Sequence, residues 1–278
     1  MHHVGELTHL VFGQNFAGAY NPFREGIYTQ QVRSFHIEDG PQGLSVTEVR
    51  STTPNPDYRR RDLDVAPTLR RDEDGDGFEP GLVALSGVFT PDDGAWTVPV
   101  EIDATGQPTM ADPEAPETFK QGMNGYHSAK LGLYSESLAE MHHVLFGGIR
   151  LQYYDWVAEE MLTDNLFTFV NQVTSIVREA EGHSTLYLLS SEFPTLFDQT
   201  SYKRLLFGTN AEFMISPEIP TYDNDIIQLD ALTRATSLGY IFGGIVADAP
   251  NRGETAASNI IFEVVITPQV AGDFDGSG

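Results

Sequence analysis

The apolar positions of the chain fall in short runs rather than in helical stripes. Runs at 32–37, 82–89, 98–102, 144–149, 167–177, 186–189, 226–229, 238–245 and 260–266 are rich in β-branched and aromatic residues, each bounded by Gly, Pro, Asp or Asn. Runs of this length between turn formers predict β-strands. Only YYDWVAEEM (153–161) carries any helical pattern, and it predicts a loop with at most one helical turn. Strands and helices do not alternate, which excludes a doubly wound fold. The expectation is an all-β chain.

A repeat runs through these strands. An apolar run ending in Phe-Gly or a Gly pair occurs as LVFGQ (10–14), LSGVF (85–89), LFGGI (145–149), LLFGT (205–209) and YIFGGI (240–245). A second, alternating strand follows downstream, usually opened by Asn, Asp or Gln: QQVRSFHI (30–37), WTVPVEI (96–102), NQVTSIV (171–177), DNDIIQL (223–229) and SNIIFEVVI (258–266). The glycines at 13, 87, 147, 208 and 243 recur irregularly, near the size of a propeller blade with insertions, about 40–50 residues. The copy at Gly208 lacks a second Gly and leaves too little chain before the next copy for four strands, so four repeats are the alternative to five.

The stretches YHSAK…MHHVLFGGI…NQV (126–173) and LGYIFGGI…SNIIFEVVI (238–266) resemble a kelch-type repeat, in which a strand, a strand ending in two glycines and a polar-opened outer strand build one blade. HLVFGQNFAGAYNP (9–22), YRRRDLDVAPTL (58–69) and YHSAKLGLY (126–134) resemble a family of uncharacterised, secreted bacterial kelch-like proteins. The likeness spans most of 7–267 and departs from the pattern at Ser86-Gly87-Val88 and Phe207-Gly208-Thr209, where the double Gly is missing. It implies an all-β, kelch-like β-propeller of four to six blades over 1–267, with its first inner strand either present or missing at the N-terminus. A linker and the start of a truncated calcium-repeat-like segment would occupy 268–278.

Composition narrows the function classes. Among 278 residues there are 16 Lys+Arg against 40 Asp+Glu, a formal charge of −24. A backbone of phosphates would be repelled, so no nucleic-acid partner is expected. No apolar run reaches the roughly 18 residues of a membrane helix; the longest, TSLGYIFGGIVA at Thr236–Ala247, is too short. Without Cys there is no disulfide, thiolate site or Cys nucleophile. The start MHHVGELTHLVFG lacks a signal-peptide pattern and the end GDFDGSG stops in mid-motif, so a fragment of a longer protein is expected.

Several groups carry candidate chemistry. Asp72, Asp74 and Asp76 stand at positions 1, 3 and 5 of an EF-hand-type loop with Gly77 at 6, and Asp273, Asp275 and Ser277 repeat the spacing before Gly278. Ca²⁺ takes alternate oxygens on such a tight turn, although Val83 replaces the closing Glu of the first loop. The tail resembles the opening of a dockerin-like calcium repeat, and Ca²⁺ is the one cofactor this spacing suggests; plain solvated turns are the alternative. Arg59, Arg60 and Arg61, with Arg70 and Arg71, concentrate basic charge in an acidic chain. On a strand Arg59 and Arg61 would share one face and Arg60 the other, so the pair could meet an anionic sugar or carboxylate. Pairing with Asp57, Asp62, Asp64, Asp72 and Asp74 is the alternative. Tyr153, Tyr154 and Trp156, on a segment that interrupts the repeat, suit a ligand-contacting loop. His142 and His143 point to opposite faces of a strand and do not make a zinc site, even with His127.

The expected function is a secreted or cell-surface binding module that recognises protein or carbohydrate through loops on one face of the propeller, as a monomer. Arg59, Arg61, Tyr153, Tyr154 and Trp156 would be its ligand contacts. A carbohydrate-active enzyme with its site at the channel mouth, or a structural domain of a longer secreted chain, are the alternatives. The copper-radical chemistry of galactose oxidase-like kelch propellers needs a Cys–Tyr cross-link and is excluded. Neither Asp-box repeats of sialidases nor a G-x-S-x-G elbow occurs. Convergent titratable residues in the channel would favour an enzyme, and an exposed aromatic patch on one rim would favour binding.

Overall fold

The computed structural model describes residues 1–19, 26–72, 75, 77–251 and 253–268. Asp74, Asp76, Asp273, Asp275 and Ser277 of the expected calcium loops lie outside them. The described chain is built of strands, with three short 3-10 turns (Pro56–Tyr58, Asp223–Asp225 and Leu229–Ala231) and no α-helix.

Four antiparallel sheets follow one another along the chain. The first contains β1 (His2–Val4) and β2 (Leu7–Val11), then, after a separate ribbon of β3 (Gln14–Asn15) and β4 (Ile27–Tyr28), β5 (Val32–Gly40) and β6 (Gly43–Ser51). The second is a meander of β7 (Asp64–Arg71), β8 (Phe78–Leu85), β9 (Val100–Ile102) and β10 (Pro108–Met110). After β11 (Gly125–Tyr126), the third sheet takes β12 (Ala129–Ser135) and β13 (Glu140–Phe146). It leaves the hairpin β14 (Ile149–Asp155) and β15 (Glu160–Phe169) to a crossing sheet with β11, and resumes with β16 (Gln172–Arg178) and β17 (Ser184–Glu192). The fourth sheet is β18 (Leu206–Ile215) and β20 (Thr236–Ala247), with β21 (Thr255–Ala257) and β22 (Phe262–Ile266) both on β20. The short β19 (Ile227–Gln228) instead joins the third sheet, parallel to β12.

The core lies between the sheets. Val4, Phe12 and Val32 pack against Val65, Leu82, Ala84, Val100 and Ile102, joining the first sheet to the second. Ala66, Val83 and Leu85, on the other face of the second sheet, meet Leu145 and Ile176 of the third. Leu131 and Leu133 meet Leu238, and Phe207 and Ile241 meet Ala129, joining third to fourth. The second sheet is therefore covered on both faces, which is why 82–85 reads as an unbroken apolar run instead of an alternation. An outermost strand behaves oppositely: β6 (GLSVTEVRS) is exposed almost throughout and carries no apolar run. Pro67 is tolerated within β7 because β7 pairs on one side only, with β8.

The glycine element has one structural address. In all four sheets it ends or interrupts the second strand, and two successive residues there have positive φ: Phe12 and Gly13 (52° and 82°), Ser86 and Gly87 (52° and 101°), Gly147 and Gly148 (62° and 93°), Gly243 and Gly244 (70° and 74°). The fifth copy differs. Gly208 lies inside a first strand, β18, where a Cβ would stand 2.3 Å from the Phe146 carbonyl oxygen, so its role is close approach between the third and fourth sheets.

Candidate functional site

Opposite three of these pairs, the first strand or its lead-in places one residue in the left-handed region: Asp62 (φ 50°), His127 (54°) and Asn210 (54°). Asp and Asn are the residue types that bear this conformation best after Gly, with His also enriched. Regular pairing brackets each distortion: Arg61 with Val88 and Asp64 with Leu85, Tyr126 with Ile149 and Ala129 with Phe146, Thr209 with Ile245 and Glu212 with Phe242. The same end of every sheet is thus bent in the same way.

The connections between second and third strands, 12–31, 86–99, 147–171 and 248–261, all spring from this end, and they are joined in sequence. The arginine segment bridges the first and second: the Arg59 guanidinium lies 4.1 Å from the Tyr28 ring centroid and donates to the Phe89 carbonyl, and Arg61 Nη1 donates to Gln14 Oε1 at 3.4 Å. Between the second and third, the Phe89 and Phe167 rings meet edge to face at 5.9 Å. Between the third and fourth, the Phe169 amide donates to the Pro250 carbonyl at 2.8 Å and Asn251 Nδ2 to Asp164 Oδ2 at 2.7 Å. Below this face the leading strands of all four sheets line one cavity of about 920 Å³, with His2, His3, Asp64, His127, Lys130, Asn210, Glu212 and Asp225 among its walls.

At the mouth, His127 Nε2 is 3.1 Å from Asp62 Oδ1, and Arg61 Nε is 3.6 Å from Asp62 Oδ2. Burial alone would raise the Asp62 carboxyl, but the hydrogen bond and charge of His127, with Arg61, hold it below its ordinary value. Tyr126 packs edge to face on Phe167 at 5.8 Å, and burial pushes its phenol up. Deeper, Asp64 has no exposed surface; it accepts from the Ser128 amide at 3.2 Å and from Lys130 Nζ at 3.4 Å. Desolvation raises its carboxyl despite these partners.

The arginines differ from expectation in local structure. They follow the 3-10 turn Pro56–Tyr58 as irregular backbone, held by an isolated bridge of Arg61 to Val88 and by the Gly13 amide, which donates to the Arg60 carbonyl at 2.9 Å. The alternation survives: Arg60 is fully buried, its guanidinium 4.8 Å from the Trp96 ring and its Nη1 donating to the Ser86 carbonyl, while Arg59 and Arg61 are half-buried at the face. Burial pulls Arg60 down to about 9. All three cations rest on aromatic rings, Arg61 on Phe89 at 5.0 Å, and Arg61 also pairs with the neighbouring Asp62.

The segment expected as a loop at 153–161 is instead part of the β14–β15 hairpin. Asp155 Oδ1 accepts from the Val157 and Ala158 amides at its turn, and Glu159 closes it with φ 55°. Four-residue hairpin loops built on a type I turn have α-like dihedrals, so the sequence carries a helical trace. Tyr154 and Trp156 stack edge to face at 4.9 Å; Trp156 Nε1 donates to Glu192 Oε1 at 2.6 Å, and Glu192 pairs with Arg204 at 2.9 Å. Tyr153 alternates to the opposite face of the hairpin. Trp156 (49% exposed), Val157, Phe197 (52%) and Tyr202 (79%) leave a rim of apolar surface. Gln172 fastens the hairpin to the third sheet by donating to the Tyr154 carbonyl at 2.5 Å and accepting from its amide at 3.2 Å.

The chain matches no family model, curated protein or solved structure with which it was compared. Its site is therefore read from geometry. Arg59 and Arg61 share the mouth; Tyr154 and Trp156 share the rim of the same face, Tyr154 five residue steps or roughly 17 Å along β14 from Ile149 and Trp156 in the turn beyond. Sequence reasoning missed Gln14, Tyr28 and Phe89, and took Asp62 only as an ion-pair partner of the arginines. The signal for Asp62, His127 and Asn210 was their residue type at a position opposite each glycine pair.

Asp72 lies at the opposite end of the second sheet, in the β7–β8 turn, where its amide donates to the Gly77 carbonyl at 3.1 Å. Among the described residues no three His, Asp or Glu side chains gather as a metal group, and no helix is long and apolar enough to cross a membrane.

Proposed function

We propose that the four sheets are blades of a kelch-like propeller and that the protein is an extracellular binding module, taking a carbohydrate or protein ligand on the glycine-pair face. Face-to-face stacking in chain order and the shared cavity of the leading strands support the blade reading. One observation carries the binding reading: all four second-to-third-strand connections lie at one end, the first two bridged by the Arg59–Arg61 segment and the others in direct contact. They present cations on aromatic rings at the mouth and exposed aromatics at the rim. Aromatic faces beside fixed polar groups suit sugar rings and protein hot spots alike.

The chain has two tryptophans, and Trp96 donates its Nε1–H to the Arg59 carbonyl at 2.7 Å. Emission of both tryptophans therefore reports on this face. Titration with an oligosaccharide panel that includes uronate-bearing members should change the emission, and Trp156→Ala or Arg61→Ala should weaken the response about tenfold or more. Binding unaltered by both substitutions would remove the face from the function. The titratable residues around the cavity, with Asp64, His127, Lys130 and Glu212 among them, favour a second reading, a carbohydrate-active enzyme. Cleavage of a bound oligosaccharide that fails in His127→Ala would establish it.

Calcium at the 72–77 turn belongs to the same proposal. Its support is the alternating carboxylates and a buried Asp72 Oδ1 without a hydrogen-bond partner among the described residues. Excess Ca²⁺ should raise Tm over EDTA, and Asp72→Ala should abolish the rise; an equal rise with Mg²⁺ or NaCl would reduce it to charge screening.

A further inference from the structure

Arg150, the second residue of β14, has no exposed surface. Its Nη2 donates to the Gly147 and Gln172 carbonyls at 3.4 and 3.2 Å and to Thr174 Oγ1 at 3.3 Å, tying the crossing sheet to the third sheet. Its Nε and Nη1 are buried with no partner among the described residues. Nε faces Gly125, 3.4 Å from where a Cβ on that residue would stand. The segment leading to Gly125 holds more unpaired polar groups: Gln121 and Asn124 are both buried, with Gln121 Nε2 and Oε1 and Asn124 Oδ1 lacking partners. This segment is fixed to the second sheet by the Gln121 amide on the Thr97 carbonyl at 2.8 Å and by Asn124 Nδ2 on the Trp96 carbonyl at 3.3 Å.

Orphaned buried donors of this kind are rare and point to an ion or ordered water. Charge separates the two. The carboxylate whose field Arg150 feels is Asp64, and Asp64 is already bonded to Lys130 and the Ser128 amide. The fully buried Arg150 thus shares its one carboxylate with Lys130, which stands partly exposed on the cavity wall. Water would satisfy the N–H groups and leave the excess charge; a monovalent anion satisfies both. The surrounding side chains are buried, which selects a small anion. We propose that a chloride-sized anion binds Arg150 at Nε and Nη1, beneath the mouth, and locks the crossing sheet in place.

The inference is independent of the ligand-binding proposal, because its readout is the folded protein alone. Melting is measured in sodium chloride and in sodium gluconate at matched ionic strength. Chloride should give a saturable rise in Tm of about 3 °C or more, and Arg150→Met should abolish the difference. Because that variant also loses the Nη2 bonds, a second measurement uses the unaltered protein. Crystals grown in sodium bromide should show an anomalous-scattering peak within hydrogen-bonding reach of Arg150 Nε or Nη1. Equal Tm in the two salts, or density at Arg150 explained by water with no bromide signal, would overturn the proposal.

Discussion

Gly147→Ala should cost the fold more than about 3 kcal/mol, seen as a lowered urea midpoint, whereas Gly243→Ala should cost only about 1–2 kcal/mol. Both glycines begin a left-handed pair, with φ 62° and 70°. The conformational penalty of a Cβ there, about 1–2 kcal/mol, is common to both. Space differs. At Gly243 a Cβ meets nothing within 4 Å, while at Gly147 it would stand 2.3 Å from the Phe207 carbonyl oxygen and 3.0 Å from that of Val170. The backbones that would have to yield belong to the approach of the third and fourth sheets, where the Gly148 amide reaches the Phe207 carbonyl at 3.4 Å. Shifting them would disturb Phe193, Phe207 and Phe262, whose rings pack on one another at 4.8–5.9 Å. Equal and small losses in the two variants would show that the close approach is not a constraint on the fold.

That contrast also explains what could be read in advance. The apolar runs and the all-β class were legible because the strands that form the inter-sheet layers are apolar wherever they are covered. The glycine element was legible as composition, but its meaning is conformational: Ser86 takes φ 52° where the motif departs from Gly, so a degenerate copy keeps the same bend. Conversely, Gly208 belongs to the motif by composition and to a different position by structure. The outer strand β6 was invisible, since neither face of it is buried enough to need apolar residues. The mouth was only half legible. Arg59 and Arg61 stand out in an acidic chain, but Asp62 meets His127 only because the second and third sheets are neighbours, and no local spacing encodes that pairing. The tyrosine–tryptophan hairpin was noticed as an interruption of the repeat, while its strand character was masked by a turn capped by Asp155 without any Gly or Pro.

Asp64→Ala should destabilise the protein by about 3 kcal/mol, with a smaller loss for Asp64→Asn. The alanine leaves the Ser128 amide without its acceptor and Lys130 without its carboxylate, at a position with no exposed surface. Asparagine keeps an oxygen for the amide. Wild type and Asp64→Asn also differ in their response to pH. Desolvation raises the folded-state carboxyl of Asp64 above its unfolded value, the reverse of the usual carboxylate. Below the unfolded value, about 3.9, the group is protonated in both states and contributes no pH dependence. As pH climbs from there to the raised folded value, the unfolded chain ionises while the folded one resists, so folding loses stability over that window and then levels off. Asparagine cannot ionise, so the stability of wild type relative to Asp64→Asn should fall as pH rises through this range. Urea midpoints of both proteins at intervals from pH 3 to 8 test it. A relative stability that climbs with pH would mean that Lys130 and the Ser128 amide outweigh burial.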